Sequence, residues 1–207
     1  MTQVTAQLWR HSTYNPYIDL TFNQYLVGES TPILVHTGDA GESASLLKAL
    51  EGRKVSYIFV SHFESDECGA LSTVLSVYPA AKVITGEVTA RQLEGFGIKA
   101  DVLIAHDGDR LNLSDVELDI IAYPSEMHLW DGLLCYDAKH KIFFSSDLMI
   151  RFGHSEQLSV SSSWKEEVEA ISPLQIADEE RRRALKARLA TLSVDLVATG
   201  HGPVLTV

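Results

Sequence analysis

Between Val60 and Leu71 the chain reads VSHFESDECGAL, which places His62, Glu64, Asp66 and Glu67 within six residues. Imidazole nitrogen and carboxylate oxygen are donors for hard and borderline divalent ions. One histidine with three acids therefore points to such an ion rather than a thiophilic one. The competing reading is a solvated acidic turn whose carboxylates cap a helix.

The flanking residues predict how this run is held. Val55–Val60 is β-branched and aromatic, as in a buried strand, and Cys68–Leu75 has helical spacing with Asp66 and Glu67 at its start. Three later segments end in the same way. An alternating run (Val116, Leu118 and Ile120 against Glu117 and Asp119) leads to His128, Ile142–Ser146 leads to Asp147, and Asp195–Thr199 leads to His201 between Gly200 and Gly202. Each histidine or aspartate thus lies just beyond the C-terminal end of a predicted strand. In layered α/β folds, sites gather there because loops from different strands converge.

With these residues in place, the chain resembles the metallo-β-lactamase superfamily and, within it, the metal-binding domain of flavodiiron proteins. The resemblance rests on His62-x-Glu64-x-Asp66-Glu67, the lone His128 and Asp147, and Gly200-His201-Gly202. It extends to Phe22-Asn23-Gln24-Tyr25-Leu26-Val27, Met127-His128-Leu129-Trp130-Asp131 and Phe144-Ser145-Ser146-Asp147, covering roughly residues 18 to 205. It implies an α/β fold of the αββα sandwich type, with two mixed β-sheets flanked by helices, as a single domain over residues 1–207. It also implies a ligand set: His62, Glu64 and His128 for one metal, Asp66 and His201 for the other, and Asp147 bridging. Glu67 stands where the family usually has histidine, which makes the second half-site harder and more anionic. Glu64, Asp66, Glu67 and Asp147 together carry four negative charges, enough to neutralise two divalent cations. Left without metal, they would repel one another and raise some of their pKa values. Three histidines, four carboxylates and no thiolate favour two iron ions over manganese or zinc.

Other residues have weaker claims. His36 takes a place where relatives carry an aspartate that supports the metal loop; the alternative is a plain buried histidine. His11 lies upstream at about the distance of a family histidine that reaches the pocket, and is otherwise a surface residue. Tyr14, Trp130 and Phe152 are expected as pocket walls. His106 and His140 read as turn residues, and His154 as a loop residue. Cys68 and Cys135 do not make a disulfide framework. Ser159 to Ser163 reads as a polar turn, and Trp164 to Ala190 as helical with Pro173 interrupting it.

A net charge of −11 disfavours nucleic acid or an anionic membrane as partner. Two cysteines, no secretion signal and no apolar span suggest a cytoplasmic protein. The function expected from the resemblance is binding of dioxygen or nitric oxide at a diiron site. The protein would act as an oxygen sensor or as a reductase of the oxidoreductase class. No bound flavin is expected, because the chain ends at Val207 without a flavodoxin-like segment; electrons would come from a separate donor protein, and a sensor would need a signalling partner. A homodimer is implied by the resemblance alone. The alternatives are a dinuclear zinc hydrolase of a thioester, lactone, lactam or phosphoester, and a scaffold whose metal site is only structural.

Overall fold

The computed structural model describes residues 1–125 and 130–207; Glu126, Met127, His128 and Leu129 lie outside the described residues. Among those described, the strands form two seven-stranded sheets. The first contains, in spatial order, β1 (Thr2–Thr5), β2 (Leu8–Asn15), β3 (Leu20–Val27), β4 (Ile33–Val35), β5 (Tyr57–Phe59), β6 (Lys82–Thr85) and β7 (Asp101–Ile104). Its first four strands pair antiparallel and its last four parallel. The second contains β8 (Arg110–Leu113), β9 (Val116–Ala122), β10 (Leu133–Asp137), β11 (Ile142–Ser146), β12 (Ser159–Ser161), β13 (Leu196–Thr199) and β14 (Val204–Thr206), in the order β12-β14-β13-β11-β10-β9-β8.

Side-chain alternation along the strands explains the layering. In the first sheet Tyr25, Val27, Ile33, Val35, Phe59 and Ile84 face Leu118, Ile120, Cys135, Phe144 and Ala198 of the second, forming the central core. Their neighbours Leu26, Leu34, Ile58 and Val83 point outward. There they meet Leu46 of α1 (Ser43–Ala49), Leu71 and Val74 of α3 (Leu71–Val77) and Leu93 of α4 (Glu87–Gly95). On the far side Phe143, Val197 and Leu205 pack under Val168 of α5 (Trp164–Ala170) and Leu185 and Leu189 of α6 (Glu179–Leu189). Sheets buried on both faces, with helices outside, are the expected αββα sandwich. None of the helices among the described residues is long and apolar enough to cross a membrane.

Two local expectations need correcting. Ser159–Ser161 is a strand, β12, rather than part of a turn. It pairs in parallel with β14 at the sheet edge, where Val160 alone turns inward, so polar residues suffice. The helical run after the acidic cluster is two helices, α2 (Ser65–Cys68) and α3, broken at Gly69 and Ala70. A Cβ on Gly69 would lie 2.4 Å from the Ser65 carbonyl oxygen and 2.9 Å from the Ala40 nitrogen, and Ala70 N–H donates to Gly38 O at 2.8 Å. The chain at 38–40 is wedged in where a continuous helix would pass.

A capping interaction joins α4 to the segment before β10. The start of α4 has no local side-chain cap; Asp131 serves instead, accepting from Val88 N–H at 2.6 Å, Thr89 N–H and the Thr89 hydroxyl. Truncation to alanine should cost ~0.5–2 kcal/mol. Thermal unfolding of Asp131→Ala is expected to show a melting temperature lower by ~1–8 °C, at ~2–4 °C per kcal/mol for a chain of this size.

Candidate metal centre

The strands that carry the candidate ligands end side by side. His62 follows β5, Asp147 opens a short 3-10 turn after β11, and His201 follows β13, which is parallel to β11. Gly200 lets β13 approach closely, since a Cβ there would stand 2.8 Å from the Ser146 carbonyl oxygen, and Gly202 takes φ +102°. Asn23 on β3 fastens this corner, its amide donating to the carbonyls of Thr199 (3.0 Å) and Gly202 (2.7 Å). Phe22 meets the His201 ring edge-on at 5.0 Å, a contact worth ~0.5–1.5 kcal/mol beyond its buried area.

Both imidazoles direct Nε2 to the same place. His62 Nε2 lies 3.5 Å from Asp147 Oδ2, 3.5 Å from Glu67 Oε2 and 3.8 Å from Glu64 Oε1. His201 Nε2 lies 3.2 Å from Asp147 Oδ1 and 3.4 Å from Asp66 Oδ2. One carboxylate, Asp147, thus presents one oxygen to each histidine. Two overlapping groups have donor atoms within 4.8 Å of one another: His62, Glu67 and Asp147, and Asp66, Glu67 and His201. Glu67 belongs to both. The acids do not cap α2: its N-cap is Glu64, which makes no side-chain cap bond, while Asp66 and Glu67 in the first turn belong to the cluster instead.

The electrostatics favour cations. Glu67 is buried, and its Oε2 has no hydrogen-bond partner among the described residues. Burial, then the charges of Asp147 and Asp66, hold its carboxyl well above the usual range. For His201 burial pulls the pKa down, but the hydrogen bond and charge of Asp147, with Asp66, leave it raised. Each group therefore keeps its proton to a higher pH than usual, and a metal must displace it. In this direction, metal affinity rises with pH until both are deprotonated. Below the raised pKa of each group, apparent affinity is expected to fall by ~tenfold per pH unit for each proton displaced. Chelator-competition titrations at a series of pH values would measure that slope.

Behind His62, Nδ1 lies 2.9 Å from Ser61 Oγ, which is also 2.9 Å from His36 Nε2 and 2.9 Å from Ser146 Oγ. His36 is buried, and burial lowers its pKa to about 3, so it is neutral above that. His201 Nδ1 faces the Thr21 carbonyl oxygen at 3.2 Å. Ser61 and Ser146 were not singled out in the sequence; the available signal was a serine immediately before His62 and before Asp147.

Of the remaining candidates, His128 lies outside the described residues. Tyr14 lines a cavity of about 630 Å³ with Leu20, Phe22, Asp39, Ser65 and Asp66, so the cavity reaches the acidic cluster. Trp130 and Phe152 are 83 % and 76 % exposed and are not among the residues lining it. His11 Nε2 faces Ser45 Oγ on α1 at 3.3 Å, and the His154 ring lies 4.7 Å from that of Tyr14 at a 57° tilt. Cys68 and Cys135 are buried free thiols.

A sandwich of two mixed sheets, with imidazoles and carboxylates converging from the strand ends, defines a metallo-β-lactamase-like protein. The family model described as "ODP family beta lactamase" matches residues 20–202, and the chain belongs to that family. It is 28% identical over 204 residues to the putative diflavin flavoprotein A 2 of Nostoc sp., covering 89% of this chain and 34% of that protein. It is 24% identical over 151 residues to rubredoxin-oxygen oxidoreductase of Megalodesulfovibrio gigas, covering 68% of this chain and 37% of that one. Among solved structures, a metal-soaked flavodiiron core from Synechocystis sp. superposes with a TM-score of 0.79 at 19% identity, over 96% of this chain and 54% of that chain, and shares the fold. The chain thus spans about one third of the length of the curated relatives it matches.

Proposed function

We propose that this chain is a non-haem diiron protein that binds dioxygen, with nitric oxide as the alternative gas, and works either as a sensor or as a reductase fed by a separate electron-donor protein. The observation that carries the reading is the donor set. Two Nε2 atoms face opposite oxygens of Asp147, three further carboxylates surround them, and neither donor group among the described residues includes a cysteine. The relatives named as diflavin flavoproteins and as an oxygen oxidoreductase support the same chemistry. Two iron ions, when bound, would supply reducing equivalents and open coordination positions for a small gas.

The residues of the chain do the rest. When the ions are bound, His62 and Glu64, together with His128, would hold one, Asp66, Glu67 and His201 would hold the other, and Asp147 would serve both, since one of its oxygens faces each imidazole. Phe22 and the Thr21 carbonyl fix the His201 ring. The cavity that ends at Asp66 offers an approach walled by Tyr14, Leu20 and Phe22.

The test is metal content per chain on protein produced with excess iron and purified without oxygen, followed by one exposure to air. About two irons per chain and a new visible absorption band support the proposal. Two zincs and an unchanged spectrum would overturn it in favour of metal-assisted hydrolysis. Binding no tighter than millimolar would leave a scaffold.

A further inference from the structure

The two histidines of the centre are supported from behind in different ways. His201 is backed by a peptide carbonyl, that of Thr21. His62 is backed by a hydroxyl, Ser61, which is itself held by His36 and Ser146. A serine hydroxyl donates one hydrogen bond and accepts two, so three partners at 2.9 Å saturate it. When His62 Nε2 serves a metal, its proton resides on Nδ1, and that N–H donates to Ser61. The hydroxyl then accepts one further bond and donates one, shared between His36 and Ser146 in either order. Both arrangements are complete, and in neither does a charged group touch Ser61.

The backbone points the same way. His36 and Ser146 both have positive φ, +63° and +44°. Such conformations are unfavourable for residues with a side chain and persist only where the surroundings impose them. Here the two strained residues converge on one hydroxyl. His36 is fixed there by its N–H to Phe59 O at 2.9 Å and, one residue on, by Thr37 N–H to Glu67 O at 2.8 Å. The His36 imidazole is 4 % exposed and lies in the sandwich interior, beside a small void lined by Tyr25, Phe59 and Phe144.

We propose that His36, acting through the Ser61 hydroxyl, is the positioning residue that fixes His62 with Nδ1–H toward Ser61 and Nε2 toward the carboxylates, and that it does so as an uncharged partner. The His62 half of the centre is thereby given a weaker-donating imidazole than a carboxylate partner would give it. Outer partners of metal-bound histidines set ring orientation and basicity, and their loss typically costs ~10–100-fold in metal affinity. The inference rests on the reading of His62 as a metal ligand.

The test uses the full chain and Zn(II), a diamagnetic probe, titrated against a competing chelator. His36→Glu and His36→Gln are nearly isosteric and differ in charge. If the relay operates, the Glu variant binds Zn(II) ~tenfold or more tightly than the Gln variant, and Ser61→Ala in the same background brings that ratio close to one. In nitrogen-detected NMR of the Zn(II)-loaded protein, His62 shows a protonated Nδ1 in the wild type, and Ser61→Ala moves its signal. Equal affinities for the Glu and Gln variants would overturn the proposal. So would a ratio that survives Ser61→Ala, because the carboxylate would then act through space. Failure of the unaltered chain to bind Zn(II) would overturn the metal-centre reading, and this inference with it; wild-type binding with a flat variant series overturns the inference alone.

Discussion

Asp147→Asn is expected to lose both metal ions, whereas Glu64→Gln loses one. Asp147 Oδ2 and Oδ1 lie 3.5 and 3.2 Å from the Nε2 atoms of His62 and His201, so its charge serves both half-sites. Glu64 Oε1 approaches His62 at 3.8 Å, which places it on one side. Asparagine keeps the shape and one acceptor oxygen but removes the anion that holds two cations close together. The loss of affinity should exceed the ~10–100-fold that follows from disturbing an outer support. Metal analysis after gel filtration should fall from about two ions per chain to well below one for Asp147→Asn, and to about one for Glu64→Gln. In the metal-free protein the Asp147 charge is, after burial, the largest cause of the raised Glu67 pKa, so Asp147→Asn should bring the Glu67 titration back toward the ordinary carboxylate range. Two ions retained by Asp147→Asn at unchanged affinity would defeat the assignment of a shared ligand.

Much of this arrangement was legible in the sequence because it depends on strand ends. An apolar run that stops on His, Asp or Gly-His-Gly announces its own boundary, and the fold brings His62, Asp147 and His201 together as expected. The acidic turn was legible as donors but not as geometry. Helical spacing alone suggested one continuous helix after Asp66, because the wedge of residues 38–40 against Gly69 is a contact between distant segments. The same limit hid β12, whose Ser159-Val160-Ser161 alternates over too few residues to reveal an edge strand. Ser61 and Ser146 were hidden for another reason: a hydroxyl in a strand is unremarkable until three partners surround it. His36 could be read as either support or filler from its position, and only its 2.9 Å contact to Ser61 separates the two.

The network of supports also explains why the cluster can persist before metal binds. The strands are locked by main-chain bonds that do not involve the acids: Leu133 N–H to Ser61 O, Gly200 N–H to Ser146 O, and Asn23 N–H to Gly200 O at 2.9, 3.2 and 2.9 Å. The site is therefore largely preorganised, and the electrostatic strain is confined to the carboxylates. Strain so localised should be removable by one substitution without disturbing the sandwich.

Glu67→Gln is that substitution, and its effect on stability should change sign with metal. In the metal-free chain Glu67 is a buried carboxyl whose folded pKa is raised, so it contributes stability when protonated and loses it as pH rises through that raised value. Glutamine mimics the protonated form at every pH. The variant and the wild type should therefore unfold alike near pH 4. As the pH rises to 7.5 the variant should become the more stable by ~1–3 kcal/mol, the scale of an unrelieved buried polar group. That difference corresponds to a melting temperature higher by ~2–4 °C per kcal/mol. With metal bound the order reverses, because the wild-type carboxylate then faces cations and the amide offers only a dipole. A crossing of the two thermal series on metal addition would identify Glu67 as a ligand. A variant stabilised equally with and without metal would instead mark Glu67 as a buried acid that the metal never touches. The pair Glu64→His with Glu67→His carries the argument further, since replacing two anions by imidazoles should move preference toward zinc and impair oxygen chemistry. Unchanged iron affinity in that double variant would show that neither glutamate sets the metal.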